Sequence, residues 1–112
     1  MSHLQDTGLP ESAIQALCGL FSQWPAIESV WLYGSRAKGN WRPGSDIDLS
    51  IRDNGLSLSD LLALENRIDD LLLPWMVDLS RYADIDNPQL REHIDRVGLC
   101  FYQRATEHAA NP

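Results

Sequence analysis

The amino-acid sequence predicts an α+β (α/β-like) domain, in which helices pack on one face of a small mixed β-sheet. Apolar residues recur at helical spacing in three segments, whereas another segment alternates apolar and polar residues, as a half-covered strand does. Prolines and glycines separate these segments. The predicted order is helix, strand, strand, helix, strand, helix and short strand, which leaves one sheet face free for polar side chains.

The first half of the chain is predicted to form a helix, a strand and a glycine-rich connection. The helix spans about residues 10–24, since Pro25 disfavours helical backbone in the residue before it. Its apolar positions are Ile14, Leu17, Cys18 and Phe21. Residues 29–33 are rich in β-branched and aromatic side chains and predict a strand. Residues 34–44 form the connection, with a short helical turn at residues 35–38.

Residues 46–52 alternate without interruption and predict the second strand. One face carries Ile47, Leu49 and Ile51, and the other carries Asp46, Asp48 and Ser50. After a turn, a helix is predicted over about residues 57–73, with a serine as N-cap and a proline after its end. Residues 75–80 predict a third strand. A last helix over residues 88–96 and a short edge strand over residues 99–103 complete the domain.

The length of 112 residues predicts a single domain over residues 1–112, with flexible ends at residues 1–9 and 104–112. No apolar stretch approaches the roughly 20 residues of a transmembrane helix, and the N-terminus lacks the pattern of a secretory signal. Cys18 and Cys100 lie in apolar surroundings and are predicted to be buried free thiols. Together these features predict a cytoplasmic protein that does not contact the membrane.

The net charge of −7 argues against a protein that binds nucleic acid directly, because most of its surface would repel the phosphate backbone. Arg36, Lys38 and Arg42 nevertheless cluster in the connection after the first strand. Such a cluster on an acidic protein favours a small phosphate-bearing ligand or a basic protein partner. A solvated loop is the alternative interpretation.

Gly34 and Ser35 directly follow the first predicted strand. A Gly-Ser turn in this position can hold a phosphate on backbone N–H groups, and a glycine permits its close approach. Asp46 and Asp48 are two residues apart on a strand, so both side chains point to the same face and can bind one divalent cation. A phosphate site and a cation site this close together in sequence indicate nucleotide chemistry.

Asp78 is the candidate for a third carboxylate, because it lies on the polar face of the third predicted strand. If the second and third strands are neighbours, it converges with Asp46 and Asp48, and the repulsion raises at least one pKa. Mg²⁺ would make the cluster favourable, and two ions about 4 Å apart can stabilise the attacking and leaving oxygens at a phosphoryl centre. Asp78 would then orient or deprotonate the attacking hydroxyl. The alternative for Asp78 is a solvated surface acid.

Gly34-Ser35, ten further residues and then Asp46-Ile47-Asp48 resemble the G-S-x10-D-x-D motif of the nucleotidyltransferase superfamily that includes polymerase beta. The flanking segments YGSRAKG and SDIDLSI strengthen the resemblance, as does the later acid Asp78. The similarity spans about residues 10–103 of a short chain. The sequence therefore looks like a minimal nucleotidyltransferase (MNT), a catalytic core without the extra domains of larger relatives.

This resemblance implies a nucleotidyltransferase core that transfers AMP from ATP to a hydroxyl with two Mg²⁺ ions. The residues implied to bind metal and catalyse are Asp46, Asp48 and Asp78, and those implied to bind the nucleotide are Gly34, Ser35, Arg36, Lys38 and Arg42. Many MNT proteins are antitoxins of HEPN-domain toxins, and some AMPylate a tyrosine of the toxin. An acidic surface would suit docking on a basic, RNA-cutting partner.

Other functions and roles stay open at this level. The chain could be a non-catalytic binding module that neutralises a partner by occlusion, or it could transfer a nucleotide to a small molecule such as an antibiotic. Both a homo-oligomer and a hetero-oligomer are compatible with the sequence. Trp41 could stack on a base or pack in a core or an interface, whereas His93 is predicted at the surface of the last helix. The tryptophans predicted in the core are Trp24, Trp31 and Trp75.

Overall fold

A computed structural model describes residues 4–105, which form a mixed four-stranded sheet with helices on both of its faces. The strands are β1 (Ile27–Tyr33), β2 (Ile47–Asp53), β3 (Val77–Arg81) and β4 (Leu99–Gln103), in the spatial order β3-β2-β1-β4. β1 runs antiparallel to β2 and β4, whereas β2 and β3 are parallel. The predicted α+β class with a small mixed sheet is confirmed.

Helix α1 (Glu11–Phe21) precedes β1, and three helices lie between successive strands: α2 (Ser35–Lys38), α3 (Leu58–Asp70) and α4 (Pro88–Val97). Ser57 caps α3, since its Oγ accepts from the Asp60 N–H at 3.0 Å. Short 3₁₀ turns occur at Gln5–Thr7 and Tyr82–Asp84. No helix among residues 4–105 has the length and apolar character needed to cross a bilayer.

The hydrophobic core lies between one face of the sheet and the helices α1 and α3. Leu32, Leu49 and Leu79 are neighbours in register across three strands, and they point to this face. The other buried members of the core include Leu17, Phe21, Val30, Ile51 and Leu64, all with no exposed surface. Because one face is apolar, the alternate residues of β1, β2 and β3 point to the opposite, polar face.

Helix α4 lies over this polar face, which corrects the prediction that the helices pack on one face. The His93 ring meets the Tyr33 ring edge-on, with 6.1 Å between centroids. Asp95 pairs with Arg52 of β2 at 3.1 Å. Trp31 also lies on the polar face, since it is in register with Ser50, so its predicted place in the core is wrong. Helix α4 packs on this face through the buried Ile94 as well as through the ring and ion-pair contacts of His93 and Asp95.

Residues 4–9 pack against the rest of the domain, whereas the sequence predicted a flexible N-terminus. Leu4 and Leu9 belong to the core, and Thr7 is fully buried. At the other end, the Arg104 guanidinium donates to the Ile27 carbonyl at 2.8 Å and the Trp24 carbonyl at 2.7 Å, so the predicted flexible tail does not begin at this residue. Residues 1–3 and 106–112 lie outside the described part of the chain.

The Arg36 guanidinium connects the N-terminal segment to the connection between β1 and β2. It donates to the carbonyls of Thr7 at 2.8 Å, Ser45 at 3.1 Å and Pro43 at 3.2 Å. It also lies 5.4 Å from the ring centroid of Trp41 and 5.6 Å from that of Trp75. Only 1% of Arg36 is exposed.

These contacts correct the prediction that Arg36 binds phosphate, because its donors are used by backbone carbonyls inside the protein. The same region of the structure also shows where Trp41 and Trp75 lie, since both rings are next to Arg36. The Trp41 Nε1 donates to the Asp6 carbonyl at 2.8 Å, so its ring packs on the N-terminal segment. Trp75 packs at the border of the core, as predicted, and its Nε1 donates to Pro43.

Replacing Arg36 by alanine is expected to lower the free energy of unfolding by roughly 2–4 kcal/mol, because three carbonyls lose their donor and two indoles lose their packing partner. Arg42→Ala is the matched control, since this exposed arginine belongs to the same connection. Its unfolding free energy should stay within about 0.5 kcal/mol of the original. Urea unfolding followed by tryptophan fluorescence measures both variants, and equal stabilities would contradict the structural role of Arg36.

Candidate active site

The Gly34-Ser35 turn lies where β1 ends and α2 begins. Gly34 has φ 75° and ψ −156°, a backbone conformation that residues with a Cβ rarely adopt. Its carbonyl accepts from the N–H groups of Ala37 at 3.1 Å and Lys38 at 3.0 Å. The turn therefore has a fixed backbone that presents Ser35 directly after the end of the strand.

A second constraint on Gly34 comes from the neighbouring strand. A Cβ added to this residue would overlap the Asp48 carboxylate, with Oδ2 as the nearest atom. The absence of a side chain at Gly34 thus allows the carboxylate of β2 to approach the backbone of the turn. A phosphate held by the turn would lie close to any cation held by Asp48.

The carboxylates of β2 and β3 lie side by side, because the two strands are parallel neighbours. Asp48 is in register with Asp78 on β3 and with Tyr33 on β1. All three side chains point to the polar face. Asp46 precedes the first residue of β2 and is exposed. The expected strand pairing is present, and it brings Asp48 and Asp78 to one place on the sheet.

The surroundings of Asp48 disfavour the charged form of its carboxyl group. Burial raises the pKa of Asp48 to about 6, and the charges of Asp78 and Asp46 act in the same direction. Burial also raises the pKa of the Tyr33 hydroxyl. The charge of Asp48 is therefore disfavoured by burial and by two neighbouring acids, so binding of a cation at this place would be favourable.

The donor set suits a hard divalent cation, although the side chains do not form a closed coordination shell. Asp46, Asp48 and Asp78 offer carboxylate oxygens, the ligands that Mg²⁺ prefers. Within residues 4–105, no three His, Cys, Asp or Glu side chains are grouped closely enough to hold a metal ion as they stand. The acids are thus gathered in one region, and their side chains would have to close around an ion.

The predicted phosphate-binding cations divide into two kinds. Lys38, at the end of α2, and Arg42, in the following connection, are both exposed and can reach an anionic ligand. Arg36 is directed into the protein, as described above. Sequence pattern alone could not separate them, because all three lie in the same short basic segment.

His93 was predicted at the surface of α4, whereas the structure places it beside the turn. Its Nε2 lies 3.3 Å from the Gly34 nitrogen and accepts that N–H. The ring is partly buried against Tyr33. The local sequence carries no signal for this contact, which joins residues 59 positions apart.

Comparisons with known proteins agree with this geometry. Residues 15–107 match the family model described as "Polymerase beta, Nucleotidyltransferase". The chain is 32% identical over 77 residues to the Haemophilus influenzae protein "Probable protein adenylyltransferase MntA", an alignment that covers 68% of this chain and 67% of that protein.

Two solved complexes contain chains with a similar fold. One is a toxin–antitoxin with AMP-PNP, with a TM-score of 0.65 and 21% identity over 91% of this chain and 80% of that chain. The other is a tri-AMPylated Shewanella oneidensis HEPN toxin in complex with an MNT antitoxin, with a TM-score of 0.61 and 17% identity over 89% of this chain and 76% of that chain. At these identities the likeness shows the fold.

Asp48→Asn is expected to stabilise the metal-free protein at neutral pH. The folded state raises the carboxyl pKa from 3.8 to about 6, so it binds the proton more tightly than the unfolded chain does. Stability is therefore lost as pH rises from about 4 to about 6. Above this pH window the free energy of unfolding of the variant should exceed that of the original by about 1 kcal/mol, and below the window the two should be equal.

Thermal unfolding by circular dichroism across this pH range measures the difference. Asp86→Asn, at an exposed loop acid, is the matched control and should show no such pH dependence. Added Mg²⁺ should raise the melting temperature of the original more than that of Asp48→Asn. A variant that is less stable than the original at neutral pH would show that Asp48 is a structural residue.

Gly34→Ala is expected to lower the free energy of unfolding by roughly 2–4 kcal/mol, because the backbone is strained and the new Cβ overlaps Asp48. Gly39→Ala is the control: its φ is 89°, but an added Cβ meets nothing within 4 Å. This control should cost about 1 kcal/mol. Chemical denaturation of Gly34→Ala with and without Asp48→Ala tests the cause, since removing the carboxylate should restore part of the stability. If Gly34→Ala lowers the unfolding free energy equally with and without Asp48→Ala, the overlap with the carboxylate is not the cause.

Proposed function

Because the chain belongs to the polymerase beta nucleotidyltransferase family and resembles its minimal members, we propose that it is a Mg²⁺-dependent protein adenylyltransferase. In this proposal it transfers AMP from ATP to a tyrosine hydroxyl of a HEPN-type toxin and acts as the antitoxin of the pair. The observation that carries the proposal is the register of Asp48 with Asp78 beside the Gly34-Ser35 turn.

The nucleotide would bind through the turn and the exposed cations. The Ser35 N–H and hydroxyl would hold the terminal phosphates of ATP, and Gly34, which has no side chain, would permit their close approach. Lys38 and Arg42 would neutralise the charge that develops on the leaving pyrophosphate. Arg36 would contribute indirectly, since it holds the connection that carries these two residues.

Asp46, Asp48 and Asp78 would hold Mg²⁺, which supplies charge neutralisation at the phosphates and lowers the pKa of a nearby hydroxyl. Asp78 is exposed on the edge strand β3, where an incoming acceptor can reach it. It would orient the acceptor hydroxyl and take its proton. The acceptor oxygen forms a bond to the α-phosphorus, the bond from that phosphorus to the bridging oxygen breaks, and pyrophosphate leaves with the electron pair.

The surface next to β3 supports a protein as the acceptor. Leu72 and Met76 are 86% and 73% exposed. Together with Trp75 they line a groove of about 370 Å³ near the start of β3. Asp69 also lines this groove, so an apolar surface with a positive charge would complement it. The two relatives of known fold occur in toxin–antitoxin complexes, which agrees with such a partner.

The same groove supports a second candidate function, in which the chain neutralises its partner by occlusion without catalysis. Exposed apolar side chains favour a stable complex whether or not a nucleotide is transferred. The two functions differ in their dependence on the acids. Transfer requires Asp46 and Asp48, whereas occlusion requires only the docking surface.

Incubating the chain with labelled ATP, Mg²⁺ and the product of the adjacent gene is expected to label that partner with AMP. The double change Asp46→Asn and Asp48→Asn should reduce labelling at least about a hundredfold, because the phosphates lose their cation. Mass spectrometry should locate AMP on a tyrosine. The double variant must still co-purify with the partner, which is the control for folding and docking.

Labelling that survives the double change would contradict the roles of the acids. A partner that is silenced without ATP, and equally well by the double variant, would favour occlusion. Labelling of a small molecule in place of the partner would contradict the proposed acceptor.

A further inference from the structure

His93 joins helix α4 to the Gly-Ser turn. Its Nε2 accepts the Gly34 N–H at 3.3 Å, and its ring packs edge-on against Tyr33, the residue just before Gly34. The contact therefore connects the last helix to the backbone on which nucleotide binding is proposed to depend. Nothing in the catalytic scheme above uses this side chain.

The contact matters because the Gly34 backbone has an unusual conformation. On one side, the Gly34 carbonyl is held by the N–H groups of Ala37 and Lys38. On the other side, the Gly34 N–H is held by His93. Because Gly34 has no side chain, steric restriction alone does not hold its backbone at the observed φ of 75°. Hydrogen bonds on both sides therefore fix the direction in which the chain enters Ser35.

The acceptor role also defines the state of the imidazole. Nε2 accepts the Gly34 N–H in the tautomer that carries its proton on Nδ1. Helix α4 keeps the ring in place through separate contacts. Asp95 accepts from Arg52 at 3.1 Å and from the Tyr82 hydroxyl at 2.9 Å, which ties the helix to the polar face of the sheet.

We infer that His93 is a positioning residue for nucleotide binding, which acts by holding the Gly34 peptide in the orientation that the phosphates require. This inference rests on the proposed function, because it assigns a role within the same phosphate site. His93 would not contact the reacting atoms. Its loss should weaken binding of the nucleotide while the fold persists, since the ring lies at the border of the polar face and outside the hydrophobic core.

The test compares three variants of the complete chain. His93→Phe keeps an aromatic ring against Tyr33 and removes the acceptor. His93→Gln replaces the ring but offers an amide oxygen that can accept the Gly34 N–H. Glu92→Gln is the matched control on the same helix. Glu92 is exposed, and its described ion pair is with Arg96.

Two measurements are made on each variant: amide hydrogen exchange at Gly34 without nucleotide, and the Kd of a non-hydrolysable ATP analogue with Mg²⁺. His93→Phe should exchange the Gly34 amide faster and bind the analogue about threefold to tenfold more weakly, the loss expected for one hydrogen bond. His93→Gln should recover part of both losses. Glu92→Gln should match the original protein.

The outcomes separate this inference from the proposed function. If Gly34 exchange is unchanged in His93→Phe, or if that variant binds the analogue as tightly as the original or more tightly, the positioning role is overturned. If the original chain binds no analogue, the proposed function fails before any substitution is considered, and the positioning role fails with it. Losses in His93→Gln together with none in His93→Phe would show that ring packing matters and that the acceptor does not.

Discussion

The parallel pairing of β2 with β3 is the constraint on which the candidate site depends. It places Asp48 beside Asp78 on the polar face and, through the same register, Leu49 beside Leu79 on the apolar face. A shift by one residue would bury the acids and expose the leucines. Burial of the leucines on the apolar face therefore holds two acids side by side, and the pKa of Asp48 is raised to about 6, first by its own burial and then by the charge of Asp78.

The connection between β1 and β2 is one short basic segment with a buried arginine and two exposed cations. Arg36 is enclosed by carbonyl groups and two indole rings, and it fastens the N-terminal segment to the connection. Lys38 and Arg42 remain exposed on the backbone that Arg36 organises. The buried Arg36 guanidinium thus organises the backbone that carries the two exposed cations, Lys38 and Arg42, which are proposed to bind phosphate.

Much of this arrangement could be predicted from the sequence, because it depends on local pattern. Strict alternation gives the two faces of β2, and the Gly-Ser turn marks the end of β1. The environment of Arg36 could not be predicted, since a guanidinium binds carbonyls and phosphates through the same donors. His93 and the face occupied by α4 depend on contacts between residues far apart in sequence, which periodicity within a single helix does not report.

In the proposed function, the position of Asp78 on an edge strand would link catalysis to recognition of the partner. β3 ends the sheet, so the side of the acids that faces away from Asp48 is not covered by another strand of residues 4–105. The exposed Leu72 and Met76 lie on the chain just before this strand. In the proposed function, a partner that brings a hydroxyl to Asp78 would dock at the sheet edge next to these apolar residues. Burial of that surface would supply binding energy for the complex and exclude water from the acids.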